Sequence, residues 1–187
     1  MNQQAERIIL GIDPGTTVLG YGIIQTKGKN HAELIVLGVI ELKKFKDHYL
    51  KLKAIYERVQ QLVDQYLPDD VAIEAPFYGK NVQSMLKLGR AQGVAMAAAL
   101  SRSVPIFEYA PRKIKMAITG QGNASKEQVA ALLKSILKIK DFEVNNLDAT
   151  DGLAAAVCHF YQHKIESTQG KANTWKDFIR NNPERIK

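Results

Sequence analysis

Ten segments in the order β-β-β-α-β-α-β-α-α-α predict an α/β fold: a five-stranded mixed sheet flanked by helices. Three observations carry this expectation. Three extended segments come first, joined by short turn signals, which favours an antiparallel meander. Two later strands alternate with long helical patterns, which favours parallel pairing with helices over the sheet faces. Finally, two apolar runs each end in one carboxylate with a proline close behind, the mark of a strand stopped at a turn.

The first strand is read over Arg7–Asp13, where Ile8-Ile9-Leu10-Gly11-Ile12-Asp13 runs into the Pro14-Gly15 turn. Gly20–Thr26 is the second strand. Lys27-Gly28-Lys29-Asn30 is a turn signal, so a third strand, Ala32–Leu42, folds back on it. A helix is expected over 47–66, because Leu52, Ile55, Tyr56, Val59, Leu62 and Val63 recur on one face. Pro68 ends it, and Val71–Glu74 is the fourth strand.

A second helix is expected over 81–100, rich in Gly and Ala, with a small-residue face suited to close packing on the sheet. Ile106–Tyr109 is the fifth strand, and Pro111 opens a basic helix through Ile118. Ser125 with Gln128 forms a capping box for a helix to about Leu137. The last core helix begins near Asp148 and runs past Cys158.

The chain has 187 residues, enough for one domain with a substantial core, and no apolar run approaches a membrane span. The segment Met1–Arg7 lacks the form of a secretory signal, and a lone cysteine, Cys158, fits a reducing cytoplasm, so a cytoplasmic location is expected. The net charge is +7, and it is concentrated. Between Gly79 and Lys126 stand eight basic residues against Glu108 alone, the footprint of a polyanion partner.

Asp13 and Glu74 both sit at strand ends. Asp148 and Asp151 lie three apart at the start of a helix, on one face. Asp148 alone could serve only as a helix cap. Gathered together, however, four carboxylates need a compensating cation, and hard oxygen donors select Mg²⁺ or Mn²⁺ over zinc. His159 and His163 lack a zinc-site spacing and read as ordinary helix residues; His31 and His48 read as surface residues. Acids for metal beside bases for phosphates point to a metal-dependent nuclease using two ions about 4 Å apart.

At this point the chain resembles the RuvC family of Holliday junction resolvases, which have an RNase H-like fold. The motifs that carry the resemblance are Gly11-Ile12-Asp13-Pro14-Gly15, Gly20-Tyr21-Gly22, Ala72-Ile73-Glu74 and Lys80-Asn81. They continue with Leu86-Lys87-Leu88-Gly89, Gly93-Val94-Ala95, Phe107-Glu108-Tyr109-Ala110 and Asp148-Ala149-Thr150-Asp151-Gly152-Leu153-Ala154. They stand in family order over about residues 8–159.

The resemblance implies a homodimer that binds a four-way DNA junction and nicks two strands of like polarity. Recombination and repair are the implied setting, and the implied products carry 5′-phosphate and 3′-hydroxyl ends. It implies that Asp13, Glu74, Asp148 and Asp151 are the catalytic metal ligands, for Mg²⁺ with Mn²⁺ as substitute, two ions per subunit. It implies that Phe77 stacks on an unpaired base and that Lys115 and Lys126 lie near the scissile phosphate. Lys80, Lys87 and Arg112 complete the expected DNA contacts. A branch-migration helicase complex of the RuvA and RuvB type is the implied partner.

The expected division is an RNase H-like nuclease domain over 1–164 and a basic tail or short helix over 165–187. The loop Phe77-Tyr78-Gly79 and the tail after Lys164 depart from the family pattern or lie outside it. Three other readings remain open. Asp13-Pro14-Gly15-Thr16-Thr17 looks like the phosphate loop of the actin and sugar-kinase group, the basic region would suffice for a non-catalytic junction-binding protein, and a plain RNase H shares the acids.

Overall fold

The computed structural model describes residues 6–28, 30–76, 81–139 and 147–168, with side chains described to Gln162 in the last helix. Its elements are β1 (Ile8–Asp13), β2 (Val18–Lys27), β3 (His31–Glu41), α1 (His48–Tyr66), β4 (Asp70–Glu74) and α2 (Val82–Leu100). They continue with β5 (Ile106–Tyr109), α3 (Pro111–Thr119), α4 (Lys126–Ile136) and α5 (Leu147–Thr168). The expected order holds throughout. The helix ends follow local chemistry. Asp47 caps α1 by accepting from the Tyr49 amide, and Pro111 stands in the first turn of α3. Ser125 and Gln128 form the reciprocal capping box of α4.

The sheet order is β3-β2-β1-β4-β5. β1 pairs antiparallel with β2 and parallel with β4, so the sheet is mixed, as expected. β5 joins β4 in parallel, and β3 joins β2 antiparallel. In parallel register Ile9 faces Asp70 and Ile12 faces Ile73, which brings the carboxyl ends of β1 and β4, and hence Asp13 and Glu74, to one edge.

Successive strand residues point to opposite faces. Leu10, Ile12, Val71 and Ile73 pack with Ile55, Val59, Leu62 and Val63 of α1 and with Ala91, Ala95, Ala98 and Ala99 of α2. Ile9, Ala72 and Tyr109 turn the other way, into a second core with α3, α4 and α5. Both faces of β1 are therefore apolar and covered, which explains the near-continuous hydrophobic run in its sequence. Each fully buried Ile or Leu contributes about 1.5–3 kcal/mol to holding these layers.

The small residues of α2 serve mainly to bring α1 close, with the sheet beneath. A side chain at Gly89 or Gly93 would meet nothing within 4 Å, so that part of the helix is not packed. α5 comes closer to the sheet than ordinary side chains permit. A Cβ on Gly11 would fall 2.1 Å from the Gly152 carbonyl, and one on Gly22 would fall 2.6 Å from Leu153 Cα. Glycine on both sides of this contact lets backbone meet backbone.

α5 runs to Thr168, beyond the expected boundary at residue 164, and residues 169–187 lie outside the described part. Among the described residues no helix is long and apolar enough to cross a membrane.

Candidate functional site

The four acids chosen from sequence pattern converge at one edge of the sheet. β1 and β4 deliver Asp13 and Glu74 at their carboxyl ends, on the face that α5 covers. α5 begins at Leu147, so Asp148 and Asp151 lie within its opening turns, at the positive end of the helix dipole. Asp148 is thus inside the helix rather than its cap. Its side chain is half exposed, whereas that of Asp151 is largely buried.

The acids feel one another. Asp13 is pushed up to about 8, first by burial and then by the charges of Glu74 and Asp151. Glu74 is pushed up to about 7, again by burial first and then by Asp151. Asp151 is also raised, by burial, although Lys126 pulls the other way. Such displacement is what a group of carboxylates shows when gathered away from water.

One cation already answers them. Lys126, the first residue of α4, donates from Nζ to Asp151 and stands 3.4 Å from Asp148. Burial alone would lower this lysine, but Asp151 and Asp148 outweigh it and hold the ammonium above its usual range. Among the described residues no three His, Cys, Asp or Glu side chains are arranged to ligate one ion. The acids share an electrostatic field, with Lys126 rather than a metal cradle between two of them.

The expected DNA contacts divide. Lys115, half-buried on α3, lowers both Glu74 and Asp151 through its charge, so it faces the acids. Arg112 lies along the loop after α3, its side chain against Gly122. Lys113, not one of the expected contacts, sets its ammonium 5.2 Å from the Tyr109 ring centre. Lys87 is exposed on α2, across the sheet from α5. Phe77 and Lys80 lie outside the described residues.

Two supporting contacts were not legible in the sequence. Gln92, buried among the alanines of α2, donates to the Glu74 carbonyl at 3.3 Å and to the Glu108 carboxylate at 3.0 Å. A polar residue on an otherwise small, apolar helix face was its one signal. Lys51 donates from α1 to the Thr16 carbonyl at 3.0 Å, tethering the turn after Asp13.

His159 corrects the reading of an ordinary helix residue. It is 2% exposed, its Nδ1 lies 2.7 Å from the Tyr109 hydroxyl, and its Nε2 lies 3.2 Å from Asp70. His163 has no described side chain, and His31 and His48 are both half-buried at the surface. Cys158 is buried, and burial pushes its thiol up to about 12, which leaves it unreactive.

Comparison with known proteins gives the geometry its family. Residues 9–159 match the family model described as crossover junction endodeoxyribonuclease RuvC. The RuvC of Bacteroides fragilis is 62% identical, over 97% of both chains. That of Porphyromonas gingivalis is 58% identical over 97% of this chain and 98% of its own. Among solved structures, Thermus thermophilus RuvC in complex with a Holliday junction substrate superposes with a TM-score of 0.79 at 30% identity. That likeness covers 86% of this chain and 97% of the other. The yeast mitochondrial Holliday junction resolvase, at 12% identity and a TM-score of 0.62, shares the fold. The mixed five-stranded sheet with helices on both faces is thus an RNase H-like fold, and the chain belongs to the RuvC family of crossover junction endodeoxyribonucleases.

Proposed function

We propose that the chain resolves Holliday junctions as a divalent-metal-dependent endonuclease, nicking two strands of like polarity during recombination and repair. The observation that carries this reading is the convergence of Asp13, Glu74 and Asp151 into one field beside Lys115 and Lys126. Asp148 completes the set. Family membership supports the substrate.

The donor set fits a hard divalent cation. All four groups are carboxylates, and three of them are held above their usual range by burial and mutual charge, a cost that a dication removes. Bound there, one or two Mg²⁺ ions, or Mn²⁺ in their place, would supply water activation and stabilisation of the leaving oxygen. Asp13, the most displaced of the acids, would hold the ion together with Glu74, Asp148 and Asp151. Lys126 and Lys115 oppose the negative charge that grows on the phosphate during attack. α5 sets Asp148 and Asp151 against the strand ends. The expected products carry 5′-phosphate and 3′-hydroxyl ends.

The same reading takes the protein as a homodimer of cytoplasmic location, working with a branch-migration helicase complex of the RuvA and RuvB type. Phe77 would stack on an unpaired base, and Lys80, Lys87 and Arg112 would contact phosphates. Residues 1–164 would form the nuclease domain, with α5 continuing past it to Thr168, and 165–187 would hold a basic tail or short helix. The deciding experiment is Asp13→Asn on a synthetic mobile four-way junction with Mg²⁺. Junction binding should persist and cutting should vanish; a variant that cuts normally overturns the assignment.

A further inference from the structure

The three elements that carry the acids also meet at a second polar cluster, behind the first. Asp70 opens β4, and its carboxylate forms an ion pair with the Arg7 guanidinium at 2.7 Å. Arg7 immediately precedes β1. Asp70 also lies 3.2 Å from His159 Nε2, on α5. Tyr109 closes the cluster with its hydroxyl 2.7 Å from His159 Nδ1, and the Phe107 ring covers the imidazole at 4.4 Å. The Asp70 and His159 side chains are 2% and 3% exposed.

The cluster stands well back from the acids. Asp70 precedes Glu74 by four strand residues, about 13 Å, and His159 follows Asp151 by eight helix residues, about 12 Å. Between the two sites, α5 rests on glycine: Gly11, Gly20 and Gly22 meet Gly152, Asp148 and Leu153 backbone to backbone. Packed helices ordinarily hold their axial position by interdigitating side chains, ridge into groove. A glycine-on-glycine contact supplies closeness without such teeth. Leu153, Val157 and Phe160 pack α5 into the core beside this strip, and the polar cluster adds directional contacts at its far end.

We propose that Arg7, Asp70, His159 and Tyr109 form a positioning clasp that fixes the axial register of α5 against β1 and β4. Through α5 it sets the distance of Asp148 and Asp151 from Asp13 and Glu74. The proposal rests on the reading of those acids as the catalytic centre. None of the clasp residues touches the reacting atoms; they act through α5.

The test uses the full chain, with junction-cutting kinetics in Mn²⁺ and, separately, Mn²⁺ affinity by calorimetry on DNA-free protein. His159→Ala should lower kcat at least about ten-fold at nearly unchanged KM and weaken Mn²⁺ binding by a similar factor, because a small displacement of the acids by a distant change costs on that order. His159→Gln should restore most of both, since its amide nitrogen reaches about as far as Nε2 and can donate to Asp70. Val63→Ala, which loosens the core on the α1 face, serves as the stability control. Assayed equally far below its own Tm, it should keep wild-type kcat.

Wild-type kcat and Mn²⁺ affinity in His159→Ala, or an equal loss in Val63→Ala, overturns the clasp. Should His159→Ala fail to fold, Tyr109→Phe decides, because it removes only a hydroxyl. A drop in kcat of about three-fold or more at constant KM supports the clasp, and an unchanged kcat overturns it. Asp13→Asn run in parallel separates the two claims. If it is dead while clasp variants cut normally, only the clasp falls; if it cuts normally, the reading of the acids falls.

Discussion

The Asp148 carbonyl oxygen lies 1.8 Å from the point where a Cβ on Gly20 would stand. No real side chain fits there, and the obstacle is backbone, which cannot swing aside. Gly20 pairs with Asp13 across the sheet, so this contact sits directly beside the acids. Gly20→Ala must push the start of α5 outward and carry Asp148 with it. Overpacking of this kind costs about 1–3 kcal/mol. Denaturant unfolding should show that loss, and junction nicking should fall far more than junction binding. A variant that nicks at the wild-type rate would mean that the placement of Asp148 does not matter.

Protein stripped of divalent ions should lose stability as pH rises. Asp13 is moved from 3.8 to about 8 and Glu74 from 4.5 to about 7 by folding. Both folded values are raised, so the folded chain holds more protons than the unfolded one across that interval. Their contribution to stability is full below about pH 4 and is lost as pH rises to about 8. Asp13→Asn removes the largest contributor and should flatten the profile, gaining on the order of 2 kcal/mol at pH 8.5. Mg²⁺ should raise the wild-type Tm more at pH 8.5 than at pH 6, because ligation needs ionised carboxylates. A Tm independent of both pH and Mg²⁺ would dismiss the cluster as a cation site.

Lys126 offers a sharper probe of the same field. It pairs with Asp151 and Asp148, and its charge also lowers Asp13 and Glu74. Lys126→Met should therefore destabilise the ion-free protein more at pH 8 than at pH 4, where Asp13 and Glu74 are largely neutral. The sign is fixed: loss of a counter-charge raises the carboxylates further. Cutting should fall by about 10²-fold, the usual scale for removing one electrostatic stabiliser of the transition state. Thermal melts at the two pH values check the first outcome, and single-turnover cutting checks the second.

The residues that were legible in the sequence are those whose position follows from local pattern. Asp13 and Glu74 each ended an apolar run before a proline, and Asp148 and Asp151 opened a buried helix. The antiparallel meander and the parallel pairing of the later strands followed from turn signals and strand–helix alternation, whereas the order β3-β2-β1-β4-β5 appears only in the structure. What escaped were pairings between distant elements. Nothing near Asp70 announces Arg7 or His159, and nothing near Gln92 announces Glu108. The glycines of β1 and β2 were visible as motif letters, but their reason, the seating of α5, appears only when helix and sheet meet. The burial of His159 is likewise a tertiary fact, since its helix is apolar on nearly every side.

Two lysines should separate binding from chemistry. Lys115 is half-buried and its charge reaches Glu74 and Asp151, while Lys87 is exposed on α2 across the sheet. If the basic region grips the phosphate backbone, junction affinity should fall steeply with salt, by counterion release. Lys87→Ala should then raise Kd, reduce the slope of log Kd against log salt by about one, and leave kcat intact. Lys115→Ala should show the opposite emphasis, a modest change in Kd and a large loss of kcat, because its charge acts where the phosphate is cut. Electrophoretic binding across a salt series, paired with nicking at saturating protein, reads both. A flat salt response in the wild type would remove the argument for the whole basic stretch. Equal kcat losses in the two variants would mean that Lys87 reaches the cleavage centre as well.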